Sequence, residues 1–482
     1  MNATDLFALL PLLLLAGTSV VVMVAITVRR SHLLTLGLTL MGLAASFISL
    51  WVVAPLTPRQ VTSLLILDRY ALFYIGLTIS ATFAVALLSF GYLEIQAVDR
   101  EEFYVLLLVA ALGSSVLVAS SHFASFFLGL EILTVSLYSL NAYLRARARP
   151  LEAGIKYLIL AASSAAFLLF GMALIYSQMG TMGFLSIRTL LAGGANLDRA
   201  VLLMGTALMI TGFGFKLALV PFHLWTPDIY EGAPAPVAAF VATVSKGAMF
   251  ALLLRYFYHS GSYSLGAIPL VFSIIAIASM VVGNLLALLQ DNIKRLLAYS
   301  SIAHMGYLLV AFEAGGGRAA EAVAFYLTAY FIAMLGAFGV VTVMSTRERE
   351  ADRLQDYRGL FWRRPALALI FTATLLSLAG IPLTAGFIGK FYVLTSGVSS
   401  ALWLLVIILV VTSVFGLFYY LRVVATLFAE TAESTEGFVP AVPSLRQAGG
   451  YVLVVLSILL IGLGAYPGPL LNAIQRAVAS LA

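Results

Sequence analysis

Gly212-Phe213-Gly214-Phe215-Lys216-Leu217-Ala218-Leu219-Val220-Pro221 puts one lysine inside an apolar run that glycine and proline both loosen. A proline within a helix removes one backbone hydrogen bond and clashes with the preceding turn, so the run predicts a helix that opens beside a cation. The rest of the chain supplies the solvent for this arrangement. Of 482 residues, 62% are apolar and only 10% are charged, with a mean hydropathy of +1.05. Soluble domains carry about 25% charged residues. Composition therefore excludes a soluble globular enzyme, and membrane spans are the units to count.

A spanning helix needs about 20 mostly apolar residues. Fourteen such runs follow one another from 6–28 to 449–472, separated by short loops with charge, glycine or proline. The sequence thus predicts an all-α polytopic membrane protein. The first run follows Asp5 without a basic leader or a small-residue cleavage site, which predicts a retained span and not a removed signal peptide. Loops after odd-numbered runs hold fifteen Lys and Arg residues, including Arg145, Arg147, Arg149, Lys294, Arg295 and the Arg347–Arg364 stretch. The opposite loops hold seven: Arg59, Arg69, Arg188, Arg199, Arg255, Arg318 and Arg476. The positive-inside rule then places the first set in the cytoplasm and both termini on the outer face. The mixed-charge stretch from Arg347 to Arg364 reads as a solvated loop.

The opening motif has an echo. Leu217-Ala218-Leu219-Val220-Pro221 returns as Leu378-Ala379-Gly380-Ile381-Pro382, and Tyr157-Leu158 returns as Tyr326-Leu327. Similar offsets suggest one duplicated unit of five helices. Because five is odd, consecutive copies face opposite ways, the inverted repeat whose working site lies where broken helices meet. The expected organisation is a three-helix segment over 1–102, repeats over 103–260 and 261–428, and a final loop and span over 429–482. Spans seven and twelve are the broken ones.

Five ionisable residues fall inside apolar runs: Glu131, Lys156, Lys216, Lys246 and Lys390. Each costs about 2.5–3.5 kcal/mol or more at a helix centre, so an unpaired position facing lipid is unfavourable. Lys246 lies midway along its run, too deep for its ammonium to reach the interface. Lys216 sits beside the break, and Glu131 needs a proton or a partner such as a lysine on a neighbouring span. Lys390 follows the second break. Lys156 lies in a first turn, where snorkelling and a relay role are both open. His223 stands seven residues beyond Lys216, two turns along the same nominal face, and Ser300, Ser301 and His304 form a polar strip in span ten. A line of amines, imidazoles and one carboxylate suits proton transfer.

The absences exclude other chemistry. There is no cysteine to hold an iron-sulfur cluster or a disulfide. The five histidines (His32, His122, His223, His259 and His304) are scattered without metal-site spacing. No phosphate loop or nucleophile elbow is present. The basic residues lie between apolar runs and form no basic domain, so nucleic acid is not an expected partner.

Phe215-Lys216-Leu-Ala-Leu-Val-Pro221-Phe-His223-Leu-Trp225-Thr-Pro227-Asp228-Ile-Tyr230-Glu231-Gly232-Ala-Pro234 closely resembles the signature of the antiporter-like membrane subunits of respiratory complex I. Gly386-Phe-Ile-Gly389-Lys390-Phe391, Phe127-Leu-Gly-Leu-Glu131 and Lys294-Arg-Leu-Leu-Ala-Tyr299-Ser300-Ser301-Ile-Ala-His304 agree with it. Within that group the chain looks like the subunit N type of bacterial NADH-quinone oxidoreductase. Lysine at position 390 argues against the sister M type, and the end soon after span fourteen against the L type with its long lateral helix.

The resemblance implies fourteen helices with two inverted repeats, in the bacterial cytoplasmic membrane. It also implies partner subunits that carry the FMN, the iron-sulfur clusters and the quinone site, and no cofactor on this chain. Glu131 matches the glutamate that pairs with the lysine of broken helix seven, here Lys216. Lys246 matches the central relay lysine, Lys390 the exit-side lysine of broken helix twelve, and His223 and His304 the connecting positions. The competing expectation is a subunit of a multi-subunit cation/proton antiporter, whose large membrane chains share the Glu/Lys core.

Overall fold

The structure is a computed structural model that describes residues 2–96, 99–193, 197–430 and 446–481. The 429–447 loop, which offered no motif, lies mostly outside the described residues. The main helices are α1 (Leu10–Val28), α2 (His32–Val53), α3 (Arg69–Gln96), α4 (Glu102–Ala119), α5 (Phe123–Asn141) and α6 (Ala148–Met179). They continue with α7 (Arg199–Leu217), α8 (Trp225–Gly232), α9 (Ala235–Ser260), α10 (Ile268–Leu288), α11 (Ile293–Ala314) and α12 (Gly316–Met344). The last are α13 (Pro365–Ala379), α14 (Ala385–Ser399), α15 (Trp403–Phe428), α16 (Arg446–Ala465) and α17 (Gly468–Val478).

Among the described residues, twelve helices are long and apolar enough to cross a membrane, or 13 with one bent pair taken as a span. Helices satisfy every backbone group internally, which is why an apolar chain adopts them in lipid. The run expected as span twelve is divided into α13 and α14, each 15 residues long. One departure from the all-α expectation is a hairpin between α2 and α3, pairing Arg59–Val61 with Leu65–Leu67.

Burial separates a centre from a rim. The apolar window of α9 is 100% buried and those of α11 and α12 are 94% buried, whereas α1, α2 and α15 stand at 39% and α6 at 33%. Lys246 and His304 therefore lie on central helices. Lipid gives no hydrophobic drive for helices to associate, so close approach depends on small residues. Between α4 and α5, a Cβ on Gly113 would come within 3.0 Å of the Gly129 carbonyl, and one on Gly129 within 3.1 Å of the Gly113 carbonyl.

Both echoed motifs end a helix in the same way. Ala218 takes the left-handed conformation at φ 60° and Gly380 at φ 84°. The Leu219 amide donates to the Gly214 carbonyl at 2.8 Å, and the Ile381 amide to the Leu376 carbonyl at 3.0 Å. Each is a helix-terminating cap with a bond spanning five residues. The caps coincide one residue away from the sequence alignment, since Ala218 matches Gly380 and not Ala379.

The break expected in span seven is present: the helix stops at Leu217 and resumes as α8. Three expectations change. The last run, taken as one span to 472, turns by 83° between α16 and α17, and beyond α17 Ser480 accepts from the Tyr70 amide at 3.0 Å. The stretch from Arg347 to Arg364 is not simply solvated: Glu350 reaches inward to Lys294, Tyr92 and the Ala235 amide. Finally, Arg255 is no loop cation. It is wholly buried in α9 and holds Asp68 through two bonds of 2.8 Å each. Asp68 also accepts from the Ala71 amide at the start of α3, at 2.7 Å. The pair ties span eight to span three. Because breaking a buried pair strands the remaining charge, Arg255→Met is expected to cost about 3–5 kcal/mol. Thermal inactivation of the detergent-extracted protein measures this, and a melting curve equal to wild type would contradict it.

Candidate functional site

The first station forms where α7 ends. Lys216 lies in the last turn of α7, 3% exposed. The unpaired carbonyls of a helix end favour a cation there. Its ammonium donates to the Thr134 hydroxyl of α5 and the Tyr157 hydroxyl of α6, both at 2.8 Å. Trp225 closes the break by donating its indole N–H to the Phe215 carbonyl at 2.9 Å. Glu131, one turn before Thr134, is within electrostatic range of Lys216. One Glu131 carboxylate oxygen, Oε1, is buried without a hydrogen-bond partner.

The second station is central. Residues Val241–Ser245 form one widened turn of π type, and Lys246 follows it directly. Such turns displace the helix by a residue and re-aim the side chain that follows, and they recur at functional sites. Lys246 is 0% exposed, and its ammonium donates to Ser301 at 2.6 Å. The Ser301 hydroxyl shares a 2.6 Å hydrogen bond with Tyr330. The ammonium also lies 5.5 Å from the centre of the Tyr230 ring, a distance at which the ring quadrupole attracts it.

His304 continues the strip along α11. Its Nδ1 meets the Tyr326 hydroxyl at 2.7 Å and its Nε2 the Tyr420 hydroxyl at 3.3 Å, while Tyr420 also bonds Ser300. Lys246 and Lys390 are both within electrostatic range of His304. A small pocket with room for about one water molecule, lined by His304, Tyr326, Tyr330, Ser377, Leu378 and Gly386, lies between this strip and the second break.

Lys390 occupies that break. Its ammonium donates to the Ala379 carbonyl at the end of α13, at 2.8 Å, and lies 5.2 Å from the Tyr307 ring centre. The two outer lysines thus repeat one design, a cation at the carbonyl end of a broken helix.

The structure brings Lys246 and His304 onto one strip and sets Lys216 and Lys390 at the two breaks. It does not carry His223 along the face of α7. His223 falls in the linker after Leu217, buried, with Nδ1 unpartnered, and makes no hydrogen bond to Lys216. Lys156 is resolved as an ion-paired residue, with Glu152 at 2.7 Å and Asp228 at 3.0 Å. Sequence reasoning missed the neutral partners: Thr134, Tyr157, Tyr326, Tyr330 and Tyr420. A signal existed for two of them, since Tyr157 and Tyr326 are the tyrosines of the echoed Tyr-Leu pair. Among the described residues no group of His, Asp or Glu could hold a metal ion.

Amines, phenols, hydroxyls and an imidazole in succession can pass protons. The family described as NADH:quinone oxidoreductase/Mrp antiporter, transmembrane, matches residues 120–416. Whole-chain relatives sharpen that class. NADH-quinone oxidoreductase subunit N of Ectopseudomonas mendocina is 50% identical over 99% of this chain and 97% of its own length. The subunit N of Nitrosospira multiformis is 54% identical over 98% and 96%. A chain of respiratory complex I from Thermus thermophilus, solved with bound aureothin, superposes with a TM-score of 0.82 at 34% identity, covering 97% of this chain and 99% of that one. The chain belongs to the NADH-quinone oxidoreductase subunit N family.

Gly380 offers a test of the second break. It needs φ 84°, and a Cβ there would come within 2.7 Å of the Lys390 side chain. Gly380→Ala should cost about 1–2 kcal/mol for the left-handed backbone alone, with a further loss as Lys390 shifts. Gly17→Ala, with nothing within 4 Å of the added carbon, should be neutral. Equal thermal stability for the two variants would contradict this account of the break.

Proposed function

We propose that this chain is a proton-translocating membrane subunit of an NADH-quinone oxidoreductase, driven by quinone reduction elsewhere in the complex. The observation that carries the reading is the hydrogen-bonded run Lys246, Ser301 and Tyr330, with the His304 ring 5.4 Å from that of Tyr330 and Lys390 held at the second break beyond it. A proton taken up from the cytoplasm passes to the Glu131/Lys216 station, moves along Lys246 and His304, and leaves by Lys390. His223 serves the first station from the linker. Each arrival of positive charge raises the electrostatic energy of the next cation in the strip, which favours onward release.

FMN, iron-sulfur clusters and quinone belong to partner subunits, and this chain supplies only proton transfer. It lies in the bacterial cytoplasmic membrane with both termini outside, as the loop charges favour. Its working halves are the repeats over 103–260 and 261–428, between the 1–102 segment and the 429–482 end. The matching caps at Ala218 and Gly380 support that division. Full-length similarity to subunit N favours this reading over the cation/proton antiporter.

Lys216→Met removes the charge and keeps an unbranched stem. In membrane vesicles it is expected to lower NADH-driven proton pumping several-fold. Unchanged pumping with normal assembly would sink the assignment.

A further inference from the structure

The strip has a gap between Lys216 and Lys246, and α8 fills it. This eight-residue second half of broken span seven packs against both α6, which carries Tyr157, and α11, which carries Ser301. Trp225, at its start, seats it on the first station, 5.2 Å from the Tyr157 ring and 5.2 Å from the Phe215 ring. Lys294 holds its far end by donating to the Glu231 and Ala233 carbonyls at 2.8 and 2.6 Å. The helix is therefore fixed at both ends between the two lysine stations.

Two side chains of α8 have unspent hydrogen-bonding capacity. Thr226 and Tyr230 are each 0% exposed, and neither hydroxyl makes a hydrogen bond of normal geometry with any described residue. Buried polar atoms without partners call for an explanation. The spacing of four residues stacks them on one face of the helix. Tyr157 on one side, and Ser301 and Tyr330 on the other, are close enough to act on Tyr230. Tyr157 is the hydrogen-bond partner of Lys216, and Ser301 that of Lys246. The Tyr230 ring itself lies beneath the Lys246 ammonium.

We propose that the Tyr230 phenol, assisted by the Thr226 hydroxyl, is the relay that passes protons between the Lys216 and Lys246 stations through water bound at these two hydroxyls. The inference rests on the proton-transfer reading above. Water bridges buried hydroxyls at little cost where they lack other partners. A proton leaving the Lys216 ammonium enters the chain at Tyr157, each hydroxyl accepts one proton as it gives up its own, and the Lys246 amine receives the last. Only N–H and O–H bonds form and break, and no electron changes place.

The experiment compares Tyr230→Phe, Thr226→Val and Lys246→Met in the intact complex in inside-out membrane vesicles, following NADH-driven proton uptake and NADH oxidation together. Phenylalanine keeps the ring under Lys246 and valine keeps the volume of threonine, so both remove only a hydroxyl. Tyr230→Phe is expected to lower proton pumping several-fold, Thr226→Val to lower it less, and Lys246→Met at least as much as Tyr230→Phe. Wild-type pumping in Tyr230→Phe beside a loss in Lys246→Met overturns the relay alone. Wild-type pumping in Lys246→Met overturns the relay together with the reading beneath it. If the Tyr230→Phe complex does not assemble, Thr226→Val decides, and wild-type pumping there overturns the relay.

Discussion

A lysine that sits inside a membrane and must also give up its proton is best held by neutral groups, and the setting of the three buried lysines follows from that constraint. An ammonium in hydrocarbon is costly, and a full counter-charge beside each lysine would bind its proton tightly. The structure uses weaker partners. Lys216 is held by a threonine and a tyrosine, Lys246 by a serine over a tyrosine ring, and Lys390 by a backbone carbonyl over another ring. Hydroxyls and carbonyls can hold an ammonium and release its proton. Where the chain does need rigidity it uses a complete ion pair, as at Arg255 and Asp68, nine residues along α9 from Lys246.

The broken helices follow from the same need. A helix interior has no free carbonyls, so a backbone partner for a cation exists only where the ladder ends. Ala218 and Gly380 end it with left-handed caps, one at each outer station; Lys390 takes the freed Ala379 carbonyl, whereas Lys216 bonds side-chain hydroxyls. The price is a short helix that must be anchored separately, and Lys294 with Glu350 does this for α8. Glu350 joins that anchor to the Ala235 amide at the start of α9 and to Tyr92 on α3. The loop charges thus hold the break in shape.

Much of this was legible in the sequence. Hydropathy fixed the class, and the cost of burying charge singled out Lys216, Lys246, Lys390 and Glu131 before any helix was placed. The two breaks were visible as an echoed Leu-Ala-x-x-Pro. What stayed hidden has physical reasons. Tyrosine and threonine cost little in an apolar run, so Tyr157, Tyr326 and Thr134 did not stand out as partners. The π-type turn before Lys246 leaves no compositional mark in Val241–Ser245. The seven-residue spacing of Lys216 and His223 implied a shared face only if the helix continued, and Ala218 ends it. Arg255 looked like a loop cation because its partner, Asp68, is 187 residues away in the chain.

The central claim is that protons cross this chain along one strip joining its buried lysines. His304 is the group in range of both Lys246 and Lys390, so the most direct measurement is the number of protons pumped per NADH oxidised by vesicles whose complex carries His304→Phe. The account predicts a lower ratio in a complex that assembles normally. An unchanged ratio would contradict it.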